Sequence, residues 1–273
     1  MKYTLSILAL SFHLALFSQT NESEISTRNM NDINWMEFGE FVPSKINTVF
    51  LPTGTLEPHG VINNGADNDA PQAMAKELAP ALNAMIAPTL PYGMTGSLAA
   101  YPGAFEITEA AYRPFIKEIL EGLAKNGFKN IIILNGHGGG QTDVLQAVAA
   151  EVANEKNVRT LVINWWSFAA DVTMEVFKED GGHAGLNETA FIQAINPGLV
   201  NKNRYNKNMA TAYPKDKTWA ATPFPSSIGL YKENEGYPNF DQKKADEYYQ
   251  KVVEKVGKLI EDTIAKWEMA FGD

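Results

Sequence analysis

Short aliphatic runs alternate with longer stretches of helical period along this chain, and that alternation restricts its fold more than any other feature. Thr48 to Leu51 and Ile131 to Leu134 are unbroken apolar or β-branched runs, the form taken by buried strands, and Thr160 to Ile163 reads as a further strand. Between the first two, Asp69 is placed to cap a helix with Pro71 in its first turn and Met74, Leu78 and Leu82 along its length. Met85 to Leu90 is a further apolar run, ended by Pro91. Thr108 opens a helix with Phe115, Ile119 and Leu123 on one face, closed by Asn126-Gly127. A third helix is expected from Thr142 to Asn157, and Gln242 to Phe271 reads as one long helix. Strand, helix and strand in this order require parallel pairing through crossover helices, hence a layered α/β fold with a mostly parallel sheet. Residues 201–240 lack a period and are rich in Asn, Pro, Lys and aromatics, as expected of a lid, a binding loop or a subunit contact. No repeat or linker divides the chain, so residues 33–273 read as one domain, behind a polar and flexible segment at 20–32.

The first residues serve another purpose. Met1-Lys2, an apolar run from Leu5 to Phe17 and the polar exit Ser18-Gln19-Thr20 have the form of a secretory signal peptide, so residues 1–19 are expected to be removed on the way to the periplasm or the medium. The run is too short for a permanent membrane span, which takes about 20 residues. With no cysteine in the chain, a lipoprotein anchor, a disulfide framework, a thiolate metal site and a cysteine nucleophile are all excluded. The formal charge of −9 argues against nucleic acid as a partner.

Of four histidines, His13 lies in the signal, and each of the other three lies in a glycine-rich corner. His59 follows the first strand in residues 51–60, LPTGTLEPHG. His137 follows the strongest strand in residues 133–140, ILNGHGGG. His183 stands at a helix entry in residues 181–189, GGHAGLNET. Ligands of open α/β sheets bind beyond the carboxyl ends of the strands, where two of these histidines fall. Carboxylates accompany them: Glu57, two residues before His59, Asp67 and Asp69 in the next loop, and Glu188. Imidazole and carboxylate without thiolate suit zinc, manganese or iron. A phosphate cradle at Gly136 to Gly140 fails because neither GxxxxGK[ST] nor GxGxxG is present, and no GxSxG marks a serine nucleophile. A periplasmic binding protein that captures a metal or sugar without chemistry is the competing reading from another class. It is disfavoured by the lack of two hinged lobes.

Taken together, these motifs resemble the creatininase (creatinine amidohydrolase) family over residues 45–195. Gly96-Ser97 and Tyr101-Pro102-Gly103 are similar to a further loop of that family. The resemblance implies a three-layer α/β/α sandwich, two divalent metal ions, hydrolysis of a C–N bond in a small polar substrate by a metal-bridged hydroxide, and a homo-oligomer, commonly a hexamer. Carried over, Glu57, Asp67 and His137 would hold one metal, and His59 the other, with Asp67 bridging. Asp67 follows Glu57 by ten residues where the family has eleven, which leaves Asp69 as an alternative. Creatininase proper has Tyr-Glu after the ligand histidine. Gly138-Gly139 here match the NGHGG branch, and Glu188 is expected to supply the missing carboxylate. His183, taken to have an ordinary pKa, is the candidate proton donor to the leaving nitrogen. Asp180, Gly138, Trp165 and Trp166 are candidate substrate contacts. Glu179-Asp180 replaces a Trp-Asp pair of creatininase, which argues against creatinine itself; formamides, peptides and cyclic keto-sugars are alternatives.

Overall fold

The computed structural model describes residues 24–212, 214, 218–226, 229–230 and 233–272. The expected signal, residues 1–19, lies outside the described residues. Helix α1 (Trp35–Phe41) is capped by the Asn34 side chain, which accepts hydrogen bonds from the backbone N–H groups of Met36 and Glu37. Then follow β1 (Thr48–Thr53), α2 (Ala66–Leu78), β2 (Ala84–Ile86), α3 (Glu109–Lys125), β3 (Asn130–Asn135), α4 (Gly140–Lys156) and β4 (Arg159–Asn164). The four strands form one parallel sheet in the order β2-β1-β3-β4. Helices α5 (Trp165–Phe168), α6 (Ala170–Phe177) and α7 (Leu186–Ile195) come next, and α8 (Gln242–Phe271) closes the chain.

Side chains alternate across the central strands and feed two separate cores. Val49, Leu51, Ile131 and Ile133 face a core completed by α1, α3 and α4. Phe50, Ile132 and Leu134 face the other, built from α2, α5, α6, α7 and α8. The result is the expected three-layer α/β/α arrangement.

Three expectations are corrected. Helix α2 begins at Ala66, not at Asp69, so Asp67 lies in its first turn instead of a loop, and Pro71 sits inside the helix. The face of α3 that enters the core carries Tyr112, Ile116, Leu120 and Leu123, leaving Phe115 54% exposed. Finally, the segment expected to be flexible is docked from Ile25: Asn29 bridges Ile86, Met30 N–H donates to the Ile86 carbonyl, and Ile25 and Met30 pack on the α3/α4 side. Within 201–240 the chain forms short 3-10 turns and a two-residue parallel pairing of β5 (Thr211–Ala212) with β6 (Gly229–Leu230). Phe224, in the same stretch, is fastened to the loop beside the cleft, its N–H donating to the Ser97 carbonyl and its own carbonyl accepting from Tyr101 Oη. Among the described residues, no helix is long and apolar enough to cross a membrane.

Candidate metal centre

The carboxyl ends of β1 and β3 deliver most of the site. The loop after β1 carries Glu57 and His59 and is held closed by the Glu57 N–H bond to the Asn64 carbonyl. It leads straight into α2, whose first turn holds Asp67. His137 comes two residues after β3, and His183 and Glu188 come from the entry to α7. Main chain meets main chain where these pieces join. A Cβ on Gly54 would lie 2.3 Å from the Asp67 carbonyl oxygen, and one on Gly136 would lie 1.9 Å from it. Both corners therefore require glycine for the close approach.

Six side chains converge. His59 Nε2 lies 2.9 Å from Asp67 Oδ1 and 3.6 Å from Glu188 Oε2. His137 Nδ1 lies 2.9 Å from Asp67 Oδ2 and 3.2 Å from Glu57 Oε1. The two oxygens of Asp67 thus serve two different histidines. His183 Nδ1 is 3.3 Å from Glu57 Oε1. Asp69, the alternative to Asp67, turns away and accepts a 2.7 Å bond from Asn63 Nδ2. Two clusters able to hold a metal result, Glu57/Asp67/His137 and His59/Asp67/Glu188, with a third overlapping set of Glu57, His59 and His183.

Each histidine has its other ring nitrogen tied to a backbone carbonyl. His59 Nδ1 is 3.0 Å from the Glu57 carbonyl, His137 Nε2 is 2.9 Å from that of Met94, and His183 Nε2 is 2.8 Å from that of Pro58. A carbonyl only accepts, so these nitrogens carry the hydrogen, and the opposite nitrogen of each ring faces carboxylate. A nitrogen lone pair against a buried carboxylate is repulsive unless a proton or a metal ion stands between them. Two atoms of the cluster, His59 Nε2 and the second Glu57 oxygen, Oε2, are buried without a hydrogen-bond partner. Ligands about 2.05 Å from one tetrahedral ion stand roughly 3.3 Å apart, and the N···O separations here bracket that value. The residues fit a pair of divalent ions sharing Asp67.

Without metal, protons take those places at His59 and His137. Burial disfavours the His59 imidazolium, but Asp67, Glu188 and Glu57 outweigh it and raise its pKa to about 10. His137 is likewise raised well above its usual value, burial being overcome by Glu57 and Asp67. Asp67 is buried too, yet His59 and His137 hold its carboxyl well below the usual range. Glu188 is pushed up to about 7, chiefly by burial. His183 is pushed down to about 4 by burial and then by the charge on His59. This corrects the expectation of an ordinary pKa there: His183 is neutral at pH 7 and must take up a proton before it can give one.

A cavity of about 650 Å³ opens onto the cluster. Gly138, Asp180 and Trp166 line it as expected, together with Glu57, Asp67, His137, His183 and Glu188. Trp165 does not. It is 2% exposed and packs on Phe191 with ring centroids 4.7 Å apart, inside the core. Sequence reasoning also missed Asn135 and Met94. Asn135 Oδ1 accepts the His137 N–H, and its Nδ2 donates to the His137 carbonyl at 2.6 Å, clamping the ligand's backbone. Its place at the end of the strand, two residues before the histidine, was a usable signal. Met94 acts through its carbonyl, which no side-chain pattern reveals.

Comparison with known proteins places this architecture. The family profile described as creatinine amidohydrolase matches residues 31–260. Creatinine amidohydrolase of Pseudomonas putida is 24% identical over 225 residues, covering 74% of this chain and 86% of the relative. A 3-dehydro-scyllo-inosose hydrolase of Thermotoga maritima is 26% identical over 164 residues, 56% of this chain and 52% of that one. A crystal structure of creatininase shares the fold with a TM-score of 0.76 at 20% identity, covering 87% of this chain and 98% of the other. Similar structures include a Zn–Zn form of a creatininase mutant and a manganese form, with TM-scores of 0.74 and 0.73. With most of its length matched by the family profile and the same α/β/α scaffold, the chain belongs to the creatininase family of amidohydrolases.

Proposed function

We propose that the protein is an exported, two-metal hydrolase that cleaves the C–N bond of a polar amide or cyclic amide. The observation that carries this reading is the set of three histidines, each with one nitrogen tied to a carbonyl and the other aimed at buried carboxylate. Glu57, Asp67 and His137 would hold one ion, and His59, Asp67 and Glu188 the other, zinc and manganese being the leading candidates and iron a third. When bound, such ions supply Lewis acidity, polarising a carbonyl and making water acidic enough to react near neutral pH.

The remaining steps belong to the chain. His183 Nδ1, neutral and open to the cavity, accepts a proton and returns it to the leaving nitrogen, while its Nε2–H bond to Pro58 holds the ring in place. Trp166 and the main chain at Gly138 wall one side of the cavity, and Asp180 with Asn187 lies on its lining near His183. Gly138 and Gly139 stand where creatininase proper carries Tyr-Glu, which leaves a cleft suited to a substrate other than creatinine. A carbocyclic keto-sugar is the second reading, supported by the similarity to the inosose hydrolase. The signal-like residues 1–19 support export, and family membership supports a homo-oligomer, for which light scattering supplies the test.

Metal analysis of the mature protein, coupled to turnover of lactams, formamides, short peptides and cyclic keto-polyols with zinc or manganese, tests the function. Glu57→Ala and His137→Ala should each lose metal and turnover together. A metal-free variant of either with full activity would overturn the proposal.

A further inference from the structure

Gln141, the second residue of α4, is fully buried and belongs to neither set of candidate ligands. Its amide is engaged at both ends. Oε1 accepts the Met94 N–H at 3.0 Å, and Nε2 donates to the Gly54 carbonyl at 3.4 Å and to Asn135 Oδ1 at 3.3 Å. These partners fix the orientation, because an N–H must face Oε1 and acceptors must face Nε2. Residue 93 is a glycine, and a Cβ there would fall 1.8 Å from Gln141 Oε1, so the amide packs directly against the main chain at that position.

Two of the three groups tethered to Gln141, Met94 and Asn135, act on His137. The Met94 carbonyl receives the His137 ring hydrogen at 2.9 Å, and Asn135 grips the His137 backbone on both sides. One amide thus fixes the ring through one neighbour and the main chain through the other. We infer that Gln141 is a positioning residue that sets His137 Nδ1 for the metal held by Glu57, Asp67 and His137, and has no comparable hold on the metal at His59 and Glu188. His59 and His183 take their own carbonyl bonds from Glu57 and Pro58, to which Gln141 makes no bond; its one hold on that loop is the 3.4 Å bond to the Gly54 carbonyl at the loop's start. The inference rests on the two-metal reading above.

Competition titrations with a chromophoric chelator, giving the two stepwise zinc affinities, test it. Gln141→Met keeps the volume but removes every tether, and Gln141→Glu keeps the acceptor for the Met94 N–H. Loss of an outer partner of a metal-bound histidine weakens binding roughly 10- to 100-fold. Gln141→Met, acting one contact further out through Met94 and Asn135, should show a loss at the lower end of that range, about 10-fold, at one site with less than about threefold change at the other, and Gln141→Glu a smaller loss at the same site. Cadmium NMR of the loaded protein should show one of two resonances shifted, the one that His137→Ala abolishes. Unchanged affinities in a folded variant, or equal weakening at both sites, would overturn the inference. If Gln141→Met does not fold, the same criteria apply to Gln141→Glu. Wild-type protein binding fewer than two ions would instead refute the two-metal reading.

Discussion

Loading zinc into the metal-free protein should drive protons out, in a number set by the geometry of the cluster. At pH 7, His59, with a pKa of about 10, holds a full proton on the nitrogen facing Asp67. His137, raised well above its usual value, holds another facing Glu57 and Asp67. Glu188, at about 7, is half protonated, while Asp67 and His183 carry none on the relevant atoms. Metal ligands must be deprotonated, so two ions should expel about 2.5 protons at pH 7. Because Glu188 titrates near 7, release should fall from about three at pH 6 to about two at pH 8. The product of the two affinities should correspondingly rise by about two and a half orders of magnitude per pH unit near neutrality. Calorimetric titration in non-coordinating buffers of different ionisation enthalpy reads the proton count directly. In Glu188→Gln the decline between pH 6 and 8 should vanish. Release of less than one proton at pH 7 would refute the reasoning, since the facing nitrogens would then be bare before metal arrives.

Further outcomes follow from the same arrangement. The metal-free protein should lose thermal stability as pH rises: the His59 contribution is complete below its ordinary 6.5 and disappears through about 10, whereas the loaded protein should lack this slope in melting scans. Asp67→Asn should abolish binding of both ions, as judged by stoichiometry, because its two oxygens serve both sets. Asp69→Asn should leave stoichiometry unchanged and alter stability by no more than about 1 kcal/mol, the cost of weakening its side-chain bond to Asn63. Trp165→Ala should cost roughly 3–5 kcal/mol in denaturant unfolding through the cavity left in the core. Trp166→Ala should cost less and act instead on kcat/KM; an unchanged substrate profile would remove Trp166 from the site.

The sheet and the ligand types were legible because both are written in local chemistry. Buried parallel strands must be continuously apolar, and Ile131 to Leu134 could be little else. Histidine in three glycine corners, with acids close by, pointed to one site. Less legible were features that depend on packing partners. Helix α2 starts at Ala66 behind Gly65, which offers no side-chain cap, so nothing in residues 65–68 advertises its beginning, and Asp67 read as a loop residue. Two apolar stripes run along α3, and only the neighbouring helix α4 and the sheet select Tyr112, Ile116 and Leu120 over Phe115. Adjacent tryptophans at 165 and 166 likewise offer no sequence rule for which one enters the core. The pKa of His183 follows first from its burial and then from His59 lying 4.5 Å away, ring to ring, a neighbour 124 positions distant in sequence.

The glycines at 54 and 136 divide the cleft into two halves with different freedom to change. Because backbone rests on backbone there, with no side chain between the sheet and the turn bearing Asp67, the spacing of the carboxylate cradle is dictated by strand positions that the whole core fixes. No substitution at these corners can fine-tune it; any added atom displaces the cradle outright. The opposite wall, to which Ser97, Trp166, Ser167, Ala170 and Asp180 contribute, is built from turns and helix ends that lie outside the sheet. A chain of this design can therefore acquire a new substrate by exchanging residues on that wall while its reactive centre stays where the sheet holds it.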